Sequence, residues 1–440
     1  TKNELKQLEF KKIRTFKVSD KPVVSIEAEQ RRKGFMAIDS AGLVSLYNST
    51  AERQLIKQHI SASAPVAATL SPRSNRMLLE TADGKIHAWH VDNEHPEVSI
   101  RSLWQKVWYE SYPKPVYIWQ SSSASNDFEP KYSLTPLVFG TLKAAFYAML
   151  FAMPLALLGA IYTAYFMAPQ MRQLVKPTIE LMGALPTVIL GFLAGLWLAP
   201  FIEKHLAGLF LTLLSLPVAI LLFAFLWEYL PKRIRQQIPE GWDAAILIPV
   251  IIIVSWLALT LSVPLEALLF QGSLRDWFNR EFGIGYDQRN AWVVGVAMGF
   301  AVIPTIFSIA EDAIFSVPKH LTVGSLALGA TTWQTMTRVV LLTASPGIFS
   351  AVMIGMGRAI GETMIVLMAT GNTPVMDFSV FQGLRTLAAN VAVEMPESEV
   401  DSTHYRVLFL AALVLFMATF VFNTLAEIIR HRLREKYSSL

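Results

Sequence analysis

From Ser133 onward the chain is organised by apolar runs long enough to cross a bilayer, and nothing else in it restricts the fold so strongly. A membrane-crossing helix needs about 20 mostly apolar residues. In hydrocarbon every backbone polar group must find a partner inside the structure, which leaves helices and closed barrels. The runs lie at about 134–167, 179–202, 206–230, 244–270, 291–310, 346–370 and 406–430. They predict an α-helical polytopic membrane protein of about seven spans, with a domain over 134–436. Pro154, Pro186, Pro217 and Pro304 fall within the runs, as packed membrane helices tolerate. Composition agrees: 53% of residues are hydrophobic and 16% charged, against roughly 25% charged in soluble domains. Cysteine is absent, which excludes disulfides and thiolate chemistry and leaves the compartment open.

Residues 1–133 contain no membrane-length run. Short alternating segments at 35–47 (FMAIDSAGLVSLY) and 76–91 (RMLLETADGKIHAWHV) read as strands. Asp83-Gly84 gives a two-residue hairpin signal and Ser71-Pro72-Arg73-Ser74-Asn75 a second turn. The spacing is that of one or two blades of a β-propeller, which cannot bury their own faces alone. A β-rich, propeller-like extramembrane module, incomplete as a propeller, is expected.

Lysine and arginine set the orientation. Arg172, Lys176, Lys232, Arg233, Arg235, Lys319, Arg338 and the tail Arg430, Arg432, Arg434 and Lys436 fall on one side; Lys204, Arg275, Arg280, Arg289, Arg385 and Arg406 fall on the other. The richer side is cytoplasmic by the positive-inside rule. With the C-terminus inside and an odd number of spans, residues 1–133 are placed outside. A hydrophilic domain of that size does not cross unaided, so a further span is expected before Thr1.

Two features carry function. Arg358 and Glu362 sit four residues apart in apolar sequence. Charges inside a span are expensive and mark a candidate functional site; on a continuous helix, i and i+4 share a face. The plainer alternative is a static ion pair tying helices together. The second feature is the polar segment 311–345 between two spans. Pro318 breaks the helix leaving the membrane. A short helical stretch follows, with Leu321, Leu326 and Leu328 among Gly324, Ser325, Ala327, Gly329 and Ala330, and Trp333 as an aromatic anchor. It reads as a helix gripped by another protein or as an ordinary interfacial helix.

At 324–341 the chain reads GSLALGATTWQTMTRVVL, followed by Pro346-Gly347 and GRAIGET at 357–363. The first stretch resembles the cytoplasmic coupling loop of ABC-importer permeases. With WQSSS at 119–123 and residues 179–191, nearly all of 120–440 is similar to the PstC family. These are the permease subunits of the bacterial phosphate-specific ABC importer, here in the long form with an extramembrane insertion. Family loops usually begin Glu-Ala-Ala and end Leu-Pro, where this chain has Val323, Gly324, Ser325 and Leu341-Leu342. The resemblance implies a type I ABC-importer permease core carrying an inserted helix pair at about 206–270. It implies a multi-pass protein of the bacterial inner membrane that forms half of a phosphate pathway. Its partners would be a PstA-like second permease, two PstB-like ATPase copies holding ATP and Mg, and a PstS-like periplasmic phosphate-binding protein. Residues 318–338 would receive the ATPase. Phosphate would replace Glu362 on Arg358, whose planar donor fork stays charged when buried.

Lys143, about ten residues into the first span, and Glu180, opening the second, are weaker pathway candidates, with snorkelling or end-of-helix solvation as the alternative. Glu311 and Asp312 read as loop-facing, and Ser121–Asn126 as a linker or an outer hydroxyl-rich loop. His87, His90, His95 and Asp92 do not make a metal site on strand geometry, since positions 87 and 90 face opposite sides. Asn48-Ser49-Thr50 matches a glycosylation acceptor by a short motif only. No Walker A loop, HExxH helix or nucleophile elbow occurs, so no cofactor, metal or covalent chemistry is assigned to the chain. Rival readings are a permease for another oxyanion (sulfate, molybdate or phosphonate), an ion-gradient secondary transporter, and a structural scaffold.

Overall fold

Apolar and polar residues alternate through the first hundred positions, and they form two antiparallel sheets. The structure, a computed structural model, describes residues 12–30, 32–60, 63–110, 112–122, 129–229, 243–270 and 272–437. Strands β1 (Val23–Ala28), β2 (Gly34–Asp39), β3 (Leu43–Asn48) and β4 (Arg53–His59) pair in chain order; β5 (Pro65–Leu70), β6 (Arg76–Thr81) and β7 (Ile86–His90) do the same in a second sheet. Each is an up-and-down meander, the strand order of a propeller blade. Met36, Ile38, Val44 and Leu46 of the first meet Ala68, Leu70, Met77 and Leu79 of the second in one core. A short pair, β8 (Trp119–Gln120) and β9 (Lys131–Tyr132), completes the strands, so no closed ring of blades forms among the described residues.

The segment 71–75 joins β5 to β6, with Ser74 at φ 55°. Asp83-Gly84 lies between β6 and β7, but Thr81 ends one strand and Ile86 starts the next, so the turn is longer than two residues and closes on Gly84 at φ 75°. Asn48 is buried and its Oδ1 accepts the Ala51 N–H at 2.8 Å, a turn role. His87 stacks on Trp89, while His95 Nδ1 lies 2.9 Å from Thr403 Oγ1.

The chain divides into Thr1–Val138 with Val393–Ala411, and Phe139–Ala392 with Ala412–Leu440. The sequence alone places 393–411 with the membrane domain. Their packing partners explain the difference: Glu394 accepts the Trp119 indole N–H at 3.0 Å and contacts His404 Nε2 at 2.7 Å, and the His404 ring stacks on Tyr132.

Seven helices among the described residues are long and apolar enough to cross a membrane: Thr135–Phe166, Thr187–Lys204, Leu206–Tyr229, Ile246–Leu269, Ala291–Phe315, Thr332–Gly361 and Thr403–Glu435, spans one to seven. Spans five and seven run about five residues past their expected ends, to Phe315 and Glu435, and spans two and six depart further from the sequence reading. Span two starts at Thr187 rather than 179, because Pro186 is extended at ψ 129° and a separate helix, Pro169–Met182, precedes it; a residue before proline avoids the helical region. Span six is Thr332–Gly361 rather than 346–370. Its polar first turn is held by a capping box between Thr331 and Gln334, which hydropathy does not register. Pro346 sits inside this helix.

Span five is central to the membrane unit. Ala144, Ala148, Ala152, Ala156 and Ala160 repeat every fourth residue along span one and are buried in the core that includes Val294, Met298 and Val302 of span five. Small residues let the two backbones approach. Span two uses the same device: a Cβ on Gly191 or Gly195 would fall 2.8 or 2.5 Å from the carbonyl oxygens of Met364 and Met368. Span two thereby lies directly on the short helix Met364–Ala369. Spans three and four, the inserted pair, pack on each other where a Gly208 Cβ would meet Ser262 at 3.0 Å. Lys232, Arg233 and Arg235 between them, and Ser123–Asn126, lie outside the described residues.

Candidate functional site

Thr305 and Ser308 stand three residues apart on span five, so they share one face. Arg358 of span six donates from Nη1 to Thr305 Oγ1 at 2.8 Å. Ser308 donates to Glu180 Oε1 at 2.9 Å. The structure therefore brings Arg358 and Glu180 to one polar strip. Asn423 of span seven borders it, since a Cβ on Gly357 would lie 3.4 Å from its Oδ1.

The expected pairing of Arg358 with Glu362 does not occur. The helix ends at Gly361 and Glu362 caps it, with ψ 126° turning the chain out of the helix after this residue. Its Oε1 instead accepts the Ile365 N–H at 3.4 Å, at the start of the Met364–Ala369 helix. Among the described residues no carboxylate lies within salt-bridge distance of Arg358. Beside Glu362, a groove of about 510 Å³ is lined by Gly361, Thr363, Ala388, Val391, Leu415 and Thr419.

Lys143 does not snorkel. It is only 5% exposed, and its Nζ points to the Gln382 carbonyl at 3.5 Å. It stands apart from the Arg358 strip, against the irregular segment between the Met364–Ala369 helix and span seven.

Glu311 overturns its sequence reading most clearly. It is 0% exposed rather than loop-facing. Arg172 Nε donates to its Oε1 at 2.6 Å, and Lys176 Nζ lies 2.8 Å from its Oε2. Lys176 also pairs with Asp312, and the Arg172 guanidinium covers the Phe315 ring at 3.5 Å. Burial alone would lower the Lys176 pKa; its hydrogen bonds to Asp312 and Glu311 outweigh that, and the net shift is upward. The signal was available: Arg172, Lys176 and Glu180 recur every fourth residue, opposite Thr305, Ser308 and Asp312 at helical spacing.

The segment after span five is a helix–turn–helix. Pro318 at ψ 127° precedes the helix Lys319–Ala327, none of whose residues is buried. Gly329 turns at φ 89°, and Ala330 N–H returns to Ser325 O at 3.2 Å. Ser325 Oγ meets the buried Thr335 Oγ1 at 2.9 Å, tying the two helices together. Leu321 is half-buried; Gly324, Ala327 and Gly329 are exposed, with open space around Gly324. Val323, Leu326, Leu328 and Trp333 present apolar surface, Leu328 at 91% exposure.

Residues 156–437 match the family model "Binding-protein-dependent transport system inner membrane component". A probable ABC transporter permease protein, YqgH of Bacillus subtilis, is 27% identical over 306 residues, covering 70% of this chain and 74% of that protein. The phosphate transport system permease proteins PstC of Xylella fastidiosa (strain Temecula1) and Pasteurella multocida are 27% and 28% identical over 316 and 248 residues. They cover 72% and 54% of this chain, and 79% and 75% of their own. The chain belongs to the binding-protein-dependent transport system inner membrane component family, as a PstC-like ABC permease.

Proposed function

We propose that the chain is the permease subunit of an ATP-driven phosphate importer and forms half of the translocation pathway. One observation carries the anion reading: Arg358 sits within a span and, among the described residues, is held by a neutral hydroxyl alone, Thr305. A guanidinium so placed has donors to spare for an oxyanion, which it grips through a bidentate fork. Phosphate would displace a hydrogen bond from the charged guanidinium to a neutral hydroxyl, worth about 1.5–3 kcal/mol, whereas breaking a buried ion pair costs about 3–5 kcal/mol. Entry is therefore easier than the exchange against Glu362 that the sequence implies. The groove beside Glu362 provides the adjoining stretch of pathway. Glu180 borders the strip, and Lys143 is a second cation for incoming anions. The relatives named for phosphate transport favour phosphate over sulfate, molybdate or phosphonate, and family membership sets the ion-gradient reading aside.

The exposed apolar residues of 321–333 form the face for a PstB-like ATPase dimer, which holds ATP and Mg and performs the hydrolysis. A PstA-like permease supplies the other half of the pathway, and a PstS-like periplasmic protein delivers phosphate. The C-terminus lies in the cytoplasm and the β-rich module in the periplasm. The test is uptake of labelled phosphate into proteoliposomes holding the co-purified assembly, with sulfate, molybdate and phosphonate as competitors. ATP-dependent uptake of phosphate that the three competitors leave undiminished is expected. Uptake without ATP, or preferential uptake of a competitor, overturns the reading.

A further inference from the structure

The cluster formed by Arg172, Lys176, Glu311 and Asp312 has a position that its ion pairs alone do not explain. It joins the helix Pro169–Met182 to the last turns of span five, immediately before Val317-Pro318 and the helix Lys319–Ala327. Glu311 is fully buried, and both of its oxygens face cations. Buried ion pairs contribute little net stability, because desolvation offsets the attraction, and are often replaceable by apolar side chains. Such a pair is better suited to fixing one arrangement of two helices.

Two further contacts extend the connection. Higher on the same pair of helices, Ser308 meets Glu180, beside Thr305 and Arg358. The helix Pro169–Met182 then runs into span two, whose Gly191 and Gly195 lie against the backbone of Met364–Ala369, next to Glu362. Movement at Lys319 thus has a continuous packed route to both sides of the anion strip. A charged joint at the foot of that route keeps its two helices in register while they move, where apolar packing alone would allow sliding.

We propose that Arg172, Lys176 and Glu311 are positioning residues that clasp the helix Pro169–Met182 to the foot of span five, so that the two move as one lever and ATP hydrolysis is converted into transport. The inference rests on the importer reading above, and its test separates the two. The reconstituted assembly is assayed for phosphate carried per ATP hydrolysed. If the unaltered assembly carries no phosphate, the importer reading itself fails. If it does, Glu311→Gln and Lys176→Gln are expected to leave ATPase co-purification and hydrolysis in place while phosphate per ATP falls about tenfold, within the range of known coupling perturbations. Lys176 is the less buried partner and serves as the readout where Glu311→Gln fails to assemble.

The 440 residues contain no cysteine, which permits a decisive second arm. The double variant Arg172→Cys/Glu311→Cys should be uncoupled when its thiols are free. It should be recoupled when a short bis-methanethiosulfonate linker spans the gap the two side chains bridged, and uncoupled again on reduction. A purely stabilising brace predicts a constant ratio in every variant. That outcome, or a crosslink that blocks transport instead of restoring it, overturns the proposal.

Discussion

Gly195→Ala tests the close approach of span two to the helix that follows Glu362. A Cβ at Gly195 would stand 2.5 Å from the Met368 carbonyl oxygen and 3.3 Å from its carbon. Both are backbone atoms, so no side-chain rotation relieves the clash. Ordinary contact begins near 3.4 Å, so the helices must part by about 0.9 Å (3.4 − 2.5). Overpacking of this kind costs about 1–3 kcal/mol. Gly324→Ala is the control, because nothing lies within 4 Å of its added Cβ, and helix propensity alone makes that change neutral or stabilising by up to about 1 kcal/mol. Thermal unfolding of the purified protein in detergent should show Gly195→Ala melting several degrees lower and Gly324→Ala unchanged or higher. Phosphate uptake should fall in Gly195→Ala, because the displaced helix begins beside Glu362. Equal melting of Gly195→Ala and the unaltered protein, with full uptake, would refute the geometry on which the route to the anion strip depends.

Trp333→Ala removes an exposed aromatic anchor and should weaken ATPase retention by about tenfold or more, read by co-purification with the membrane unit still folded. Lys143→Met keeps the shape of a buried side chain whose ammonium has a 3.5 Å carbonyl contact, with Asp377 and Asp287 attracting it at longer range. Melting temperature should rise while uptake drops, and lower stability would count against the desolvation argument. In the β-rich unit, burial, aided by Glu97 and opposed by Arg32, raises the Glu29 pKa above its ordinary 4.5. Neither Glu29 carboxylate oxygen has a hydrogen-bond partner among the described residues. The folded form therefore holds its proton more tightly than the unfolded form. Stability is greatest below the ordinary pKa and falls as pH rises through the folded one. Glu29→Gln should melt higher than the unaltered protein at pH 7, with the gain vanishing near pH 4; a gain independent of pH would exclude the carboxylate as its source.

The spans were legible because hydropathy is a local property, and Pro318 with its train of small residues announced the elbow between spans five and six. What escaped depends on partners far away in the chain. Arg172 and Lys176 look like topology markers until the fold sets them against Glu311, 139 positions from Arg172. Glu311 itself reads as a residue at a membrane exit, because its charge ends the apolar run at about 310 while the helix runs on to Phe315. Glu362 was misread for a different reason: i, i+4 spacing shows that two side chains can meet, not that they do, and Glu362 turns instead to the Ile365 N–H of the next helix. The polar run from Thr332 hid a helical turn whose stability comes from the Thr331–Gln334 cap rather than from burial. Arg358 was identifiable from its cost in an apolar run, but its actual partner, Thr305, is one hydroxyl among many in the sequence.

The most direct measurement is ATP-driven uptake of labelled phosphate by the reconstituted assembly carrying Arg358→Ala, with hydrolysis followed in the same vesicles. With the guanidinium gone, uptake should collapse by about a hundredfold or more, in line with the loss of a buried charged contact of about 3 kcal/mol, while the subunits remain assembled and ATP is still consumed. Undiminished phosphate accumulation in that variant would contradict the claim that the anion passes over Arg358.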